Sequence, residues 1–139
     1  MVVTEELRVE TKGHTDIVPL TEEVAKVLER SGLRVGILCL FVPGTTATLT
    51  TTEFEPGLVK DIRDFWERVA PASHFYEHNA RWQDGNGYAH VRAQSSGPSL
   101  VLPFVNGKLL LGTWQDIVLV DFDNRPRLRT IIIQIVGEP

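Results

Sequence analysis

The eight residues from Val35 to Val42 read VGILCLFV and are stopped by Pro43 and Gly44. A run this apolar, too short to cross a bilayer and closed by turn residues, predicts a central β-strand buried on both faces. Such a strand needs hydrogen-bonding neighbours on each side and a packed layer over each face, so the remainder of the chain has to supply both. The next segment, Thr45 to Thr52, is built from Thr, Ala and Leu and predicts a second strand, antiparallel to the first across the Pro43-Gly44 turn. Before them, Val2 to Thr11 predicts an edge strand with Leu7, Val9 and Thr11 on one side and Arg8, Glu10 and Lys12 on the other.

Two stretches carry helical spacing instead. Val24, Val27 and Leu28 form a stripe between Thr21, read as an N-cap, and Ser31-Gly32. Leu58, Val59, Ile62, Phe65, Trp66 and Val69 form a second between Pro56-Gly57 and Pro71. Downstream, Asn106-Gly107 between Ser99–Phe104 and Lys108–Gly112 is a strong hairpin signal, and Ile117–Phe122 and Arg129–Val136 predict two further strands. Trp114, after a glycine at a strand break, reads as filling a core corner. With 139 residues, 42% of them hydrophobic, the chain supports one continuous core, hence a single domain over 1–139. The expected class is α+β: a mainly antiparallel sheet folded into a sandwich, with two or three short helices.

Charge and composition exclude several functions. A net charge of −4 is at odds with non-specific nucleic-acid binding, which requires a basic face. No apolar run reaches membrane-spanning length, and Glu5, Glu6 and Arg8 stand where a signal peptide keeps its apolar core. The expectation is a soluble, cytoplasmic protein with neither nucleic-acid nor membrane partners. Cys39, the single cysteine, lies inside the apolar run and reads as a small buried hydrophobe.

Between Tyr76 and Pro103 neither periodicity continues cleanly, and polar chemistry gathers there. His78 and His90 flank Asp84 at a spacing that matches no zinc-finger signature. Two histidines plus a carboxylate, Glu53 or Asp84, make an adequate ligand set for a divalent metal, whereas histidines that hydrogen-bond loop backbone account for the same residues. Arg92 with Ser95-Ser96-Gly97 has the donors to grip a phosphate; solvated helix-end residues are the alternative. Arg125, Arg127 and Arg129 form either a basic rim for an anionic substrate or neighbouring subunit, or a charged edge that blunts an exposed strand.

The segments VPGTTATLT, YEHN, GYAHVRA, GPSLVLP and GTWQDIVLVDFD, in this order, resemble the YjbQ family, described as secondary thiamine-phosphate synthases. The likeness runs from about Leu33 to Gly137. It implies a compact α+β fold, assembly as a homotrimer, and a reaction that joins a hydroxymethylpyrimidine pyrophosphate to a thiazole phosphate with release of pyrophosphate. In that reading His78 and His90 bind a divalent ion, Mg or Zn, or shuttle a proton, Glu53 completes the set, and Arg92, Ser95 and Ser96 hold phosphate. Asn79, Asp84, Asn86 and Gln115 are the further substrate contacts. The family commonly has Pro-His-Thr-Thr where this chain has Pro43-Gly44-Thr45-Thr46, so a three-histidine centre is not available. Two alternatives stand beside this reaction: a metal-dependent enzyme on another small phosphorylated metabolite, and a non-catalytic trimeric binding protein.

Overall fold

A computed structural model describes all the residues, Met1–Pro139. In chain order the elements are β1 (Val2–Thr11), β2 (Asp16–Pro19), α1 (Thr21–Ser31), β3 (Val35–Phe41), β4 (Ala47–Thr52), α2 (Pro56–Val69), α3 (Glu77–Trp82), α4 (Gly87–Ser96), β5 (Ser99–Val105), β6 (Lys108–Leu109), β7 (Asp116–Asp121) and β8 (Arg127–Glu138). All strand pairs are antiparallel, in a five-stranded sheet of order β1-β8-β3-β5-β6 and a three-stranded sheet of order β2-β7-β4. The class is the α+β sandwich expected, with four helices. The two beyond the clear amphipathic stretches are α3 and α4, which lie where sequence periodicity fails.

The two sheets meet through one apolar cluster. Leu38, Leu40, Leu102, Phe104, Ile131, Ile133 and Ile135 come from the larger sheet, Leu49, Ile117 and Leu119 from the smaller, and Val24, Val27 and Leu28 of α1 join them. The other face of the smaller sheet, Ile17, Val118 and Val120, packs with Phe122 and with Tyr88, Ala89 and Ala93 of α4, while Val59, Ile62 and Trp66 of α2 lean on the same cluster. β7 is therefore the strand covered on both faces: every residue from Ile117 to Asp121 is buried.

That role was expected of β3, and the correction has a physical basis. In β3, Leu38 and Leu40 point into the sandwich, but Val35 is 46% exposed, Ile37 49% and Phe41 41%. Register places Val105, Pro103 and Val101 of β5 beside Val35, Ile37 and Cys39, and Val136 and Ile132 of β8 beside Ile37 and Phe41. The outer face of the larger sheet thus presents an apolar centre to solvent in a single chain. Full burial of such a side chain is worth roughly 1.5–3 kcal/mol, of which these half-exposed ones forgo about half. β3 and β4 also do not pair: β3 lies between β5 and β8, and β4 pairs with β7, so Pro43-Gly44 carries the chain from one sheet to the other.

Smaller departures follow from tertiary contacts. Thr21 is the first residue of α1 and not its N-cap; its hydroxyl donates to Asp116 Oδ1 at 2.9 Å and accepts from the Ile117 N–H at 3.0 Å, tying the helix to β7. Trp114 is exposed in the turn before β7. The Asn106-Gly107 hairpin is as expected, joining β5 and β6 with φ of 56° and 72°.

At one end the sheets are tied by charge. Arg129 of β8 donates from Nε to Asp121 Oδ2 at 2.7 Å and from Nη2 to Asp121 Oδ1 at 2.8 Å, a two-pronged pair wholly inside the protein. Thr11 of β1 donates to Asp121 Oδ2 at 2.7 Å, and the Asp123 N–H to Oδ1 at 3.0 Å. Burial, the largest single influence, pushes the Asp121 carboxyl up, but the hydrogen bonds from Arg129, Thr11 and Asp123 N–H together hold it below the ordinary 3.8. A carboxyl depressed in the folded state contributes stability above its unfolded pKa and loses it as pH falls through the folded value. Asp121→Asn should therefore cost about 3 kcal/mol at neutral pH, because the buried Arg129 loses its two-pronged partner and keeps only Thr46 and the more distant Asp123 Oδ2 at 3.8 Å. In urea titrations between pH 7 and 2, the variant's stability should also fall less steeply below about pH 4 than that of the parent chain.

Candidate functional site

The cluster of candidate residues is assembled by the two short helices. α3 carries His78 and α4 carries His90, and their junction leaves no room for a side chain at residue 87. A Cβ on Gly87 would lie 2.6 Å from Tyr76 Cβ and 2.9 Å from Asn79 Oδ1. The Gly87 N–H instead donates to Asn79 Oδ1 at 2.8 Å, which clamps the start of α4 onto α3. As a result the His78 and His90 rings stand 4.3 Å apart between centroids, tilted by 37°.

Asp84, in the loop between the helices, closes the group. Its Oδ1 is 3.4 Å from His78 Nδ1 and accepts from the Asn86 N–H at 3.2 Å. One ligand atom from each of His78, Asp84 and His90 lies within 4.8 Å of the others. His78 Nδ1 is buried and makes no hydrogen bond. Two imidazoles in contact, one with an unpartnered ring nitrogen, beside a carboxylate are groups that could hold a divalent ion. Burial above all, and then the charge of His78, hold the His90 pKa below its ordinary 6.5, which keeps the imidazole in its neutral, metal-binding form near pH 7.

Beside this trio lies a cavity of about 430 Å³ lined by Thr45, Thr46, Asp84, Asn86, His90, Asp123, Asn124, Arg125 and Arg127, with no hydrophobic residue among them. Its floor is the charged tie between the sheets. Thr46 Oγ1 donates to Asp123 Oδ2 at 2.9 Å and accepts from Arg129 Nη2 at 2.6 Å, and Arg127 Nη1 donates to Asp123 Oδ2 at 3.1 Å. Asn124 latches the two loops together, donating from its backbone to Asn86 Oδ1 at 3.1 Å and from its side chain to Asp84 O at 2.8 Å.

The structure distributes the sequence candidates unevenly. His78, His90, Asp84 and Asn86 converge on the cavity or its edge, and Asn79 positions them. Glu53 follows the far end of β4, away from Thr45 and Thr46, so the carboxylate beside the histidines is Asp84. Arg92 is 2% exposed, and its guanidinium donates to Ala70 O, Thr15 Oγ1 and Glu67 Oε1 at 2.8–3.0 Å, so it is a bolt between α2 and α4, buried away from the cavity. Ser95 and Ser96 bond back to Val91 O and Arg92 O of their own helix. Gln115 bonds Thr51 Oγ1 and the Gly112 N–H, again at the far end of β4. Arg129, read as part of a basic rim or charged edge, is buried at 4% exposure.

Gly44 has φ of 123°, and a Cβ built there would come within 3.1 Å of Arg129 Nη1. A side chain at this position would therefore press on the Arg129 guanidinium, and the third candidate ligand near the two histidines is Asp84. The residues that sequence reasoning missed are Asp123, Thr45, Thr46 and Asn124, with Arg125 and Arg127 left unassigned. One signal was available: Arg129 shares its strand face with Ile131, Ile133 and Ile135, and an arginine on the buried side of a strand requires a carboxylate partner.

The family model described as UPF0047 protein YjbQ-like matches residues 5–138. The chain belongs to the YjbQ/UPF0047 family. A UPF0047 protein of Methanothermobacter thermautotrophicus is 38% identical over 138 residues, covering 99% of this chain and 94% of that protein. The UPF0047 protein YugU of Bacillus subtilis is 33% identical over 132 residues, covering 94% and 97%. Among solved structures, a YbjQ-like protein of unknown function from Sulfolobus solfataricus superposes with a TM-score of 0.94 at 35% identity, over 99% of each chain. In this member of the YjbQ/UPF0047 family, His90 should titrate below 6.5 in proton NMR, and His78→Ala should raise its pKa part of the way back, since burial remains when the neighbouring charge is removed.

Proposed function

We propose that this protein is a divalent-metal-dependent enzyme acting on a small phosphorylated metabolite, with thiamine-phosphate synthesis as the specific reaction to test. The observation that carries the reading is the His78–Asp84–His90 trio at the edge of a wholly polar cavity that also holds Arg125 and Arg127. Two nitrogens and one carboxylate oxygen leave a position open for water or substrate, and imidazole-rich sets favour zinc over magnesium. The ion, once held by these three residues, would act as a Lewis acid on a phosphoryl oxygen.

The chain's own groups supply the rest. Arg125 and Arg127 offer charge-assisted donors to a phosphate or departing pyrophosphate. His90, neutral near pH 7, can take or return a proton when not engaged by the ion. Asn79, Asn86 and Asn124 hold the loops at fixed separation, so the charged groups need no rearrangement on binding. The absence of hydrophobic residues from the lining favours a phosphorylated metabolite in general over one with a large aromatic part. Thiamine-phosphate formation draws its support from the family resemblance.

The apolar outer face of the larger sheet supports assembly as a homotrimer, in which neighbouring copies cover Val35, Ile37, Phe41 and Val101. Ile37→Asp should shift the species seen by sedimentation equilibrium to a single chain without loss of secondary structure. For the site, untagged protein should take up about one divalent ion per chain, with His78→Ala and His90→Ala each lowering affinity at least tenfold. Incubating the metal-loaded protein with the pyrimidine pyrophosphate and thiazole phosphate should yield thiamine phosphate above the His90→Ala background. Metal uptake without product leaves the broader reading and removes the specific reaction; a folded trimer that takes up neither metal nor phosphorylated compounds would overturn both.

A further inference from the structure

The cavity contains one feature that a metal site does not explain. Asp123 is 2% exposed, and while its Oδ2 takes hydrogen bonds from Thr46 and Arg127, its Oδ1 is buried without any partner. A carboxylate oxygen can only accept, so Oδ1, on a residue that lines the cavity, has no donor supplied by the protein itself. An acceptor left bare in a buried setting is unfavourable relative to one that is satisfied. Around it stand cationic donors. Arg127 is already turned toward Asp123, and Arg125, on the same wall, makes no hydrogen bond to protein with its side chain, so both its charge and its donors are free.

A site with several positive donors and one obligatory acceptor fits an anion that still carries a hydrogen. A phosphate ester does so below its second dissociation, near pH 6, so the match is to the monoanion of mildly acid solution. Sulfate is nearly the same size and shape but carries no hydrogen at that pH. Against Asp123 Oδ1 it would set oxygen against oxygen with nothing between them. Sites built to hydrogen-bond a particular group reject isosteres lacking it far more strongly than apolar pockets reject a missing methylene.

We propose that Arg125, Arg127 and the unpaired Oδ1 of Asp123 form a subsite for a monoprotonated phosphate group, in which Asp123 accepts the phosphate's hydrogen and thereby selects phosphate over sulfate. This rests on the reading of the cavity as a site for a phosphorylated metabolite and adds where its phosphate sits. It moves the phosphate contacts from Arg92, which is buried, and from Ser95 and Ser96, which bond back to their own helix, to the turn before β8. Arg129, held rigidly by Asp121 and bonded to Thr46, fixes the wall behind it.

The test uses the full-length protein stripped of metal with a chelator, titrated at pH 6 with inorganic phosphate and with sulfate in a calorimeter. Phosphate should bind roughly a hundredfold or more tightly than sulfate. Arg125→Gln, a change at an exposed side chain, should weaken phosphate about tenfold while leaving the melting temperature and zinc uptake unchanged. Asp123→Asn, whose amide can donate as well as accept, should bring the two anions within a few-fold of each other. If that variant fails to fold, the wild-type anion ratio and Arg125→Gln still decide the matter. Sulfate binding as tightly as phosphate, or phosphate binding unaffected by Arg125→Gln, would overturn the subsite. Because zinc uptake is measured separately, loss of the metal site with retention of phosphate selectivity would count against the metal reading alone.

Discussion

The buried ion pair between Arg129 and Asp121 is the interaction on which both fold and site depend. Arg129 belongs to the five-stranded sheet and Asp121 to the three-stranded one, so the pair joins the layers at the end where the apolar sandwich gives way to polar residues. Two charges removed from water are tolerated only when geometry and additional hydrogen bonds replace the lost solvation. Here Thr11, Thr46 and the Asp123 N–H do so, and in doing so they fix the start of β4, the end of β7 and the start of β8 relative to one another. The walls of the cavity are these same segments. A rigid charged end to the sandwich and a preorganised polar pocket are one structure.

The helical layer adds the second half of the site. α4 is anchored from beneath by Tyr88, Ala89 and Ala93 in the apolar cluster and from the side by Arg92, which reaches Glu67 and Ala70 at the α2 end and sits over the Tyr88 ring at 4.8 Å. With α4 held in this way and Gly87 pressed against Tyr76, His90 has a fixed position, and α3 brings His78 to it. Arg92 thus serves the candidate chemistry through rigidity. The histidines are placed by packing, and their contact with Asp84 is a consequence of the short loop between two short helices.

The outer face of the larger sheet follows a different logic. Its central strands are apolar on both sides, yet one chain covers only the inner side, while β1 at the edge carries Glu6, Arg8 and Glu10 outward. The alternation of that edge strand matches a solvated face, whereas Ile37, Phe41, Val101 and Val136 have the composition of an interior. An apolar centre with a charged margin is the pattern of an interaction surface.

Much of this was legible in the residues. Apolar periodicity determined β1, α1 and α2, the Asn106-Gly107 pair determined the hairpin, and the motifs YEHN and GYAHVRA marked the two histidines, because each of these depends on local geometry or on a family pattern in adjacent residues. What only the tertiary structure decided depends on contacts between distant segments. The eight-residue run at β3 looks the same in sequence whether its second face meets a helix of its own chain or another molecule. The crossing at Pro43-Gly44 resembles a hairpin until the hydrogen-bond partners are known. Arg92 and Arg125 are both arginines near a candidate site. One is consumed by Glu67, Thr15 and Ala70, from segments 22 to 77 residues away, and the other is left free, a difference of partner that no local pattern encodes.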